Sequence, residues 1–262
     1  MPETQLLLAD DHLVLIFPYD KDQVDEIKRI KNSKWDKIAK VWRVPMTSLN
    51  EARDFAAKHG IAFADTPEAL LAHPEVDIVC LCTPSGDHLA PALACAKASK
   101  HVVVEKPLEV TLARCDELTT ACAKAGVTVA GILPRRFGAG AVALKAALEA
   151  GRFGKLTLAG ALIPWWRTQA YYDSAAWRGT FALDGGGAVM NQGIHTVDLL
   201  LWLLGAPKRV SATAGLVAHD GIEVEDIAAG WIEFANGCRA TLASSTACLV
   251  FPGPRRWITS AL

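Results

Sequence analysis

The 262-residue sequence lacks several things. It has no apolar run near the roughly 18–20 residues that a membrane-spanning helix requires; Ile78–Cys82 and Leu199–Leu204 are its longest. It has almost no net charge: 27 basic and 28 acidic residues leave −1, so no global field draws the chain to nucleic acid or membrane. Its seven cysteines are odd in number and lie in apolar runs, which excludes a disulfide scaffold and fits a reduced, cytoplasmic compartment. Met1–Phe17 carries Glu3, Asp10 and Asp11 where a secretory signal needs positive charge, so no export signal is read. There is no internal repeat and no low-complexity linker. What is present, 51% hydrophobic residues, excludes a disordered chain and suffices for one large or two modest domains.

The opening segment differs in texture from the rest. Leu13–Phe17 reads as a buried strand and Asp22–Ile30 as a short helix with Val24, Ile27 and Ile30 on one face. Lys40–Val44 alternates as a strand and stops at Pro45; a helix then runs to Lys58 and ends at Gly60. Between Lys28 and Arg43 seven basic residues stand against one acid, with Trp35 and Trp42 among them. That stretch is a solvated surface, or else a nucleic-acid contact through phosphates and base stacking; the first is favoured.

From Ile61 the pattern alternates. Thr66-Pro67 opens a helix, and Val76–Cys82 is a continuous apolar strand of the kind buried on both faces of a parallel sheet. Helix His88–Ser99, strand His101–Val104, helix Thr111–Ala125 and strand Val127–Leu133 follow, which spells βαβ crossovers and a doubly wound sheet. A helix from Gly140 to Ala150 leads out. The last third predicts a largely antiparallel sheet of Leu156–Ile163, Val210–Val217, Val224–Phe234 and Cys238–Ser245, with Asn236-Gly237 as a hairpin turn. One helix, Ala188–Leu204, interrupts it. The fold class is therefore α/β: a partial, Rossmann-like doubly wound sheet, then an α+β domain with a mostly antiparallel sheet. The expected boundaries are 1–53 for an atypical βαββα-like head, 54–134 for the partial dinucleotide-binding domain and 135–262 for the α+β domain.

Several groups could carry chemistry. Glu105-Lys106-Pro107 ends a strand of the parallel sheet, where open α/β sheets bind ligands. A lysine at such a place serves as a general base when its surroundings lower its pKa; the plain alternative is a strand-end lysine before a terminating proline. Asn191 and His195 lie four apart on one helical face, with Asp198 partly sharing it. The alternative is a capping Asn and a core His bonded to Asp198. His-x-x-Asp lacks a third ligand, so no metal is expected. Thr83, Pro84 and His88 sit between a strand and a helix start, which offers N–H groups to phosphate or ribose, or is simply a turn. Gly138–Ala143 spells G-x-G-x-x-A, but Pro134–Phe137 separates it from its strand and no acid-bearing strand follows, so it is set aside. Trp166, Arg167, Tyr171, Tyr172, Trp177 and Arg178 combine aromatic faces with fixed donors suited to polyhydroxylated ligands. Cys80 and Cys82 read as small hydrophobes.

Cys82–His88, Glu105–Pro107, Trp166–Gly179 and Asp184–Asp198 occur in the order and spacing of the Gfo/Idh/MocA oxidoreductases, and residues 52–247 resemble that family. The resemblance implies an NAD- or NADP-dependent enzyme transferring hydride at a secondary hydroxyl of a sugar or cyclitol. Lys106 and His195 would then handle the proton and Asn191 would orient the substrate. Thr83, Pro84, His88, Glu105, Lys106 and Arg136 would line the cofactor. Trp166, Arg167, Tyr172, Trp177, Arg178, Asn191 and Asp198 would face the substrate, and the second sheet would pair with another copy in a homo-oligomer. Two departures stand out: no G-x-G-x-x-G occurs before Ile61, and the family's chains continue beyond this chain's end. Phe17–Asp20, Ile27-Lys28, Lys34–Asp36 and Lys40–Pro45 resemble instead a HARP-type module of annealing helicases. The competing expectation is a fused or truncated relative with impaired activity; a nucleic-acid role through Lys28–Arg43 is the third.

Overall fold

A computed structural model describes residues 5–9, 12–16, 27–29, 34–36, 41–45, 54–55, 57–60, 64 and 66–248. The chain divides into two compact units, Met1–Ile132 and Leu133–Leu262. The first unit opens with β1 (Gln5–Ala9), β2 (His12–Ile16), β3 (Lys34–Asp36) and β4 (Val41–Pro45), an antiparallel sheet in the order β1-β2-β4-β3. β2 and β4 are the two strands expected from the sequence. Most of the expected helix Asp22–Ile30, and much of the basic stretch, lies outside the described residues.

The parallel sheet is built from β5 (Ile78–Leu81), β6 (His101–Val104) and β7 (Val129–Gly131), in that order. β1 runs close to β5 without joining its ladder, so among the described strands β5 pairs only with β6. Helices α1 (Pro67–Ala72), α2 (Leu89–Lys97) and α3 (Leu112–Ala125) start and stop where local chemistry directs. The Thr66 hydroxyl accepts from Ala69 N–H at 3.1 Å, the Thr111 hydroxyl from Arg114 N–H at 3.3 Å, and Gly126 ends α3 at φ +70°. Because β5, β6 and β7 step in one direction, right-handed crossovers put α2 and α3 on the same face. Val79, Leu81, Val102 and Val104 are buried with Leu89, Ala92, Ala96, Leu118 and Cys122. Each such side chain contributes about 1.5–3 kcal/mol on leaving water. Burial on both faces, expected from the apolar run, is not what is found: Cys80 and Val103 are only half-buried and Ile78 is 57% exposed. Cys95 and Cys122 fill this core as small hydrophobes, and burial pushes the Cys95 thiol up to about 11.

The second unit runs through a 3₁₀ turn (Pro134–Phe137), α4 (Ala139–Glu149), β8 (Leu158–Pro164) and the one-turn helix α5 (Gln169–Tyr172). A π-helical turn (Ala188–Gly193), α6 (Ile194–Leu204), β9 (Pro207–Gly215), β10 (Ile227–Phe234) and β11 (Arg239–Ser245) follow. The sheet order is β8-β11-β10-β9, antiparallel except that β8 runs parallel to β11. Asn236-Gly237 makes the β10–β11 turn, with Gly237 at φ +86° and the Asn236 side chain accepting from Cys238 N–H. Leu200 of α6 is buried with Ala161, Ile232, Phe234, Cys238 and Ala240. The opposite face of the sheet leaves Leu158, Leu162, Ile227 and Trp231 exposed. Gly138 stands at the start of α4 behind the 3₁₀ turn, which agrees with setting its glycine pattern aside.

The single helix expected over Ala188–Leu204 is broken at its start, and the cause is remote in sequence. Gly187 passes so close to Glu225 that a Cβ would lie 1.7 Å from the Glu225 carbonyl oxygen. That carbonyl accepts from Ala188 N–H at 2.8 Å, and the Glu225 carboxylate accepts from Gly187 and Val189, both at 3.0 Å. An anion at a helix start is favourable, and this one holds the chain in a wide turn before α6. Gly187→Ala is expected to cost more than about 3 kcal/mol, read as a drop in thermal midpoint, because backbone on both sides must move. Gly215→Ala, where a Cβ meets nothing within 4 Å, should leave the midpoint nearly unchanged.

Candidate active site

In the first unit the loops after β5 and β6 carry Thr83, Pro84, Glu105 and Lys106. His88 joins them. It is 1% exposed, with Nε2 2.9 Å from the Thr83 carbonyl and Nδ1 3.0 Å from the Pro107 carbonyl. The sequence suggested a cofactor contact for His88; its ring is instead the clasp between the two loops, and both nitrogens are occupied. Lys106, half-buried, starts a cis peptide bond to Pro107, and its N–H donates to Glu105 Oε2 at 3.1 Å.

A residue that the sequence did not single out completes this arrangement. Glu109 is 2% exposed and accepts from Leu89 N–H at 3.0 Å, Val110 N–H at 2.7 Å and two Arg114 nitrogens at 2.7 and 2.8 Å. Arg114 also donates to the Gly86 carbonyl at 2.7 Å. Glu109 thus takes up the Leu89 N–H at the N-terminus of α2, the turn where the sequence offered N–H groups to phosphate or ribose. The only sequence sign of Glu109 was its place four residues after Glu105.

In the second unit Asn191 lies in the π-turn and His195 in the first turn of α6, half-buried. Asn191 Nδ2 donates to Asp184 Oδ1, and Asn191 Oδ1 accepts from Gln192 Nε2 at 3.2 Å. Asp184, 2% exposed, also accepts from Gly179 N–H at 2.9 Å. Asp198 departs from expectation. It is buried and bound through both oxygens by Arg136, with Nε–Oδ2 at 2.7 Å, so its carboxylate is a structural partner rather than a substrate contact. Arg136, expected at the cofactor, spends that fork on Asp198.

The loop Trp166–Gly179 brings together four of the six side chains expected, Arg167, Tyr171, Trp177 and Arg178, and places Tyr172 and Trp166 elsewhere. Tyr172 is buried, its hydroxyl donating to Thr246 Oγ1 at 3.0 Å, and burial pushes its pKa up. Tyr171, its neighbour, is the one set among the arginines: the Arg167 and Arg178 guanidinium carbons each lie 4.4 Å from its ring centroid. Trp177 stacks at 4.5 Å on Arg178, and Trp165, not Trp166, lies near Arg167 at 5.6 Å. Trp166 is exposed, 6.5 Å from the buried His219 ring. No group of three or more His, Cys, Asp or Glu able to hold a metal ion occurs among the described residues.

Burial alone would raise the Glu109 carboxyl. The Arg114 guanidinium and the Val110 and Leu89 N–H groups outweigh it and hold the group below the ordinary carboxylate range. A lowered folded-state pKa means stability that is complete above the unfolded value, about 4.3, and lost as pH falls through the folded one. Glu109→Gln is therefore expected to lower stability by about 1.5–3 kcal/mol at neutral pH and to flatten the acid limb of a urea-unfolding series. An unchanged acid limb would show that Glu109 carries no such charge.

Two family models match the chain: "Oxidoreductase family, NAD-binding Rossmann fold" over residues 23–131 and "GFO/IDH/MocA C-terminal domain" over residues 141–258. The first begins well before residue 52, where the sequence resemblance was placed. Among curated relatives, D-glucoside 3-dehydrogenase of Escherichia coli is 30% identical over 72% of this chain and 58% of its own length. Myo-inositol 2-dehydrogenase of Thermotoga maritima is 32% identical over 58% of this chain and 44% of its own. The solved WlbA dehydrogenase from Bordetella pertussis, in complex with NADH and UDP-GlcNAcA, superposes with a TM-score of 0.71 at 33% identity, covering 78% of this chain and 58% of that one. The chain thus spans about half the length of the proteins it matches. It belongs to the Gfo/Idh/MocA family of oxidoreductases, with an NAD-binding Rossmann domain followed by the family's C-terminal domain.

Proposed function

We propose that this chain serves NAD- or NADP-dependent hydride transfer at a secondary hydroxyl of a sugar or cyclitol. The observation that carries the reading is the Glu105-Lys106-Pro107 turn. It leaves the carboxyl end of a parallel strand and is clasped by His88 and braced by Glu109, so that Lys106 is presented from a pinned backbone. D-glucoside and myo-inositol dehydrogenases among the relatives support the substrate class.

The loops of Thr83-Pro84 and Glu105-Lys106 follow β5 and β6 at their carboxyl ends, where open α/β sheets bind ligands, and would hold the nicotinamide end of a dinucleotide. A bound nicotinamide supplies the hydride acceptor. The chain's own part is the proton: Lys106 Nζ takes it from the hydroxyl as the carbinol carbon becomes a carbonyl, and His195 passes it toward solvent. Asn191 cannot take a proton; fixed by Asp184 and Gln192, it orients the hydroxyl. Lys106→Met and His195→Ala should each slow turnover about 10²–10⁴-fold in single-turnover measurements made at saturating cofactor. Variants that turn over at the wild-type rate would remove these residues from the mechanism.

The open sheet face with Leu158, Leu162, Ile227 and Trp231 suits a second copy of this chain. Light scattering after size exclusion should give a dimer or larger, and Leu162→Glu should shift it toward monomer; a monomeric wild type would refute this pairing.

A further inference from the structure

Two guanidinium groups in the second unit both lie against the Tyr171 ring, and neither has a carboxylate partner among the described residues. Arg167 and Arg178 both lie 4.4 Å from the Tyr171 centroid, so they are at most twice that distance apart. Their partners are neutral. Arg167 Nη2 donates to Gln192 Oε1 at 3.0 Å, and Arg178 donates to Ser174 Oγ at 3.1 Å and Tyr171 Oη at 2.8 Å. Arg167 Nε is buried without a hydrogen-bond partner. Among the described residues neither arginine pairs with a carboxylate. Aromatic faces from Trp165, Tyr171 and Trp177 soften the repulsion but do not neutralise it.

The pair is also built, not incidental. Arg167 N–H donates to the Thr246 carbonyl at 2.9 Å, and the Arg167 carbonyl lies 2.9 Å from Nε2 of His219, itself 5% exposed. His219 Nδ1 lies 3.0 Å from Asp226, a fully buried carboxylate that also accepts from the N–H groups of Val217, Ala218 and His219. A hydrogen-bonded chain then leads from Arg167 through Gln192, Asn191 and Asp184 to the N–H of Gly179, the residue after Arg178. It ties both arginines to Asn191.

We propose that Arg167 and Arg178 receive an anionic group carried by the substrate, so that this chain acts on an acidic sugar rather than a neutral one. The proposal rests on the function inferred above, since Asn191 is what links the pair to the reacting hydroxyl. A carboxylate on the sugar and a phosphate ester on it share the recognition chemistry: two or three acceptor oxygens against planar forks of N–H donors.

The test is calorimetric titration of the full chain, with and without NADH, using D-glucuronate, D-glucose 6-phosphate and D-glucose. At least one anionic sugar should bind about tenfold or more tighter than glucose, as a charge-assisted hydrogen bond predicts; which of the two does so identifies carboxylate or phosphate. Arg167→Gln and Arg178→Gln should each abolish that preference in a chain that remains folded by circular dichroism, and Arg178→Lys should restore only part of it. Equal affinity for all three sugars, or a preference that survives both glutamine variants, overturns the proposal. NADH affinity separates the outcomes: binding of NADH without an anionic preference removes only the anion site. Failure to bind NADH removes the oxidoreductase reading, while the sugar series without NADH still decides the arginine pair.

Discussion

A carboxylate taken out of water keeps its charge only where donors surround it, and that requirement organises the loops of both units. Glu109, Asp184, Asp198 and Asp226 are all buried, and each is met by two or more donors. None of these contacts lies within one regular element. Glu109 joins the start of α2 to α3 and to the loop after β6; Asp184 joins Gly179 to the π-turn; Asp198 joins α6 to the 3₁₀ turn; Asp226 gathers the chain after β9. The consequence is a set of loops fixed from within, on which the remaining polar side chains can be held out for a ligand.

The division of labour follows residue by residue. His88, Tyr172 and Asp198 have the chemistry of site residues, yet their polar atoms are spent on neighbours. Lys106 sits in a turn that those neighbours clamp, Asn191 is oriented through Asp184, and Arg167 and Arg178 are stacked among rings with no carboxylate partner among the described residues. Fully satisfied groups position; groups whose partners are neutral or incomplete are the ones that recognise.

Much of the architecture was legible because it rests on local chemistry. Continuous apolar runs marked β5 and β6, Thr66 and Thr111 marked helix starts, and Asn236-Gly237 the hairpin. What escaped was set by residues far apart in the chain. The π-turn depends on Gly187 lying against Glu225, 38 residues on, and the Arg136–Asp198 pair spans 62 positions. The parallel pairing of β8 with β11 is likewise non-local. The arginine loop was read in the right place, with Tyr171 among its aromatic faces; Trp165 rather than Trp166 lies near Arg167, and Tyr172 turns inward, because neighbouring side chains on a strand end or a helical turn point in different directions. Glu109 carried no pattern of its own, since its role exists only once Leu89 and Arg114 are folded around it.

The central claim is that the loops at the carboxyl ends of β5 and β6 receive a nicotinamide dinucleotide even though no glycine-rich turn precedes β5 in the sequence. Titration of the folded full chain with NADH, followed by calorimetry, tests it most directly. The account predicts saturable binding of one NADH per chain, displaced by NAD⁺; a chain that is folded by circular dichroism and takes up no NADH would contradict it.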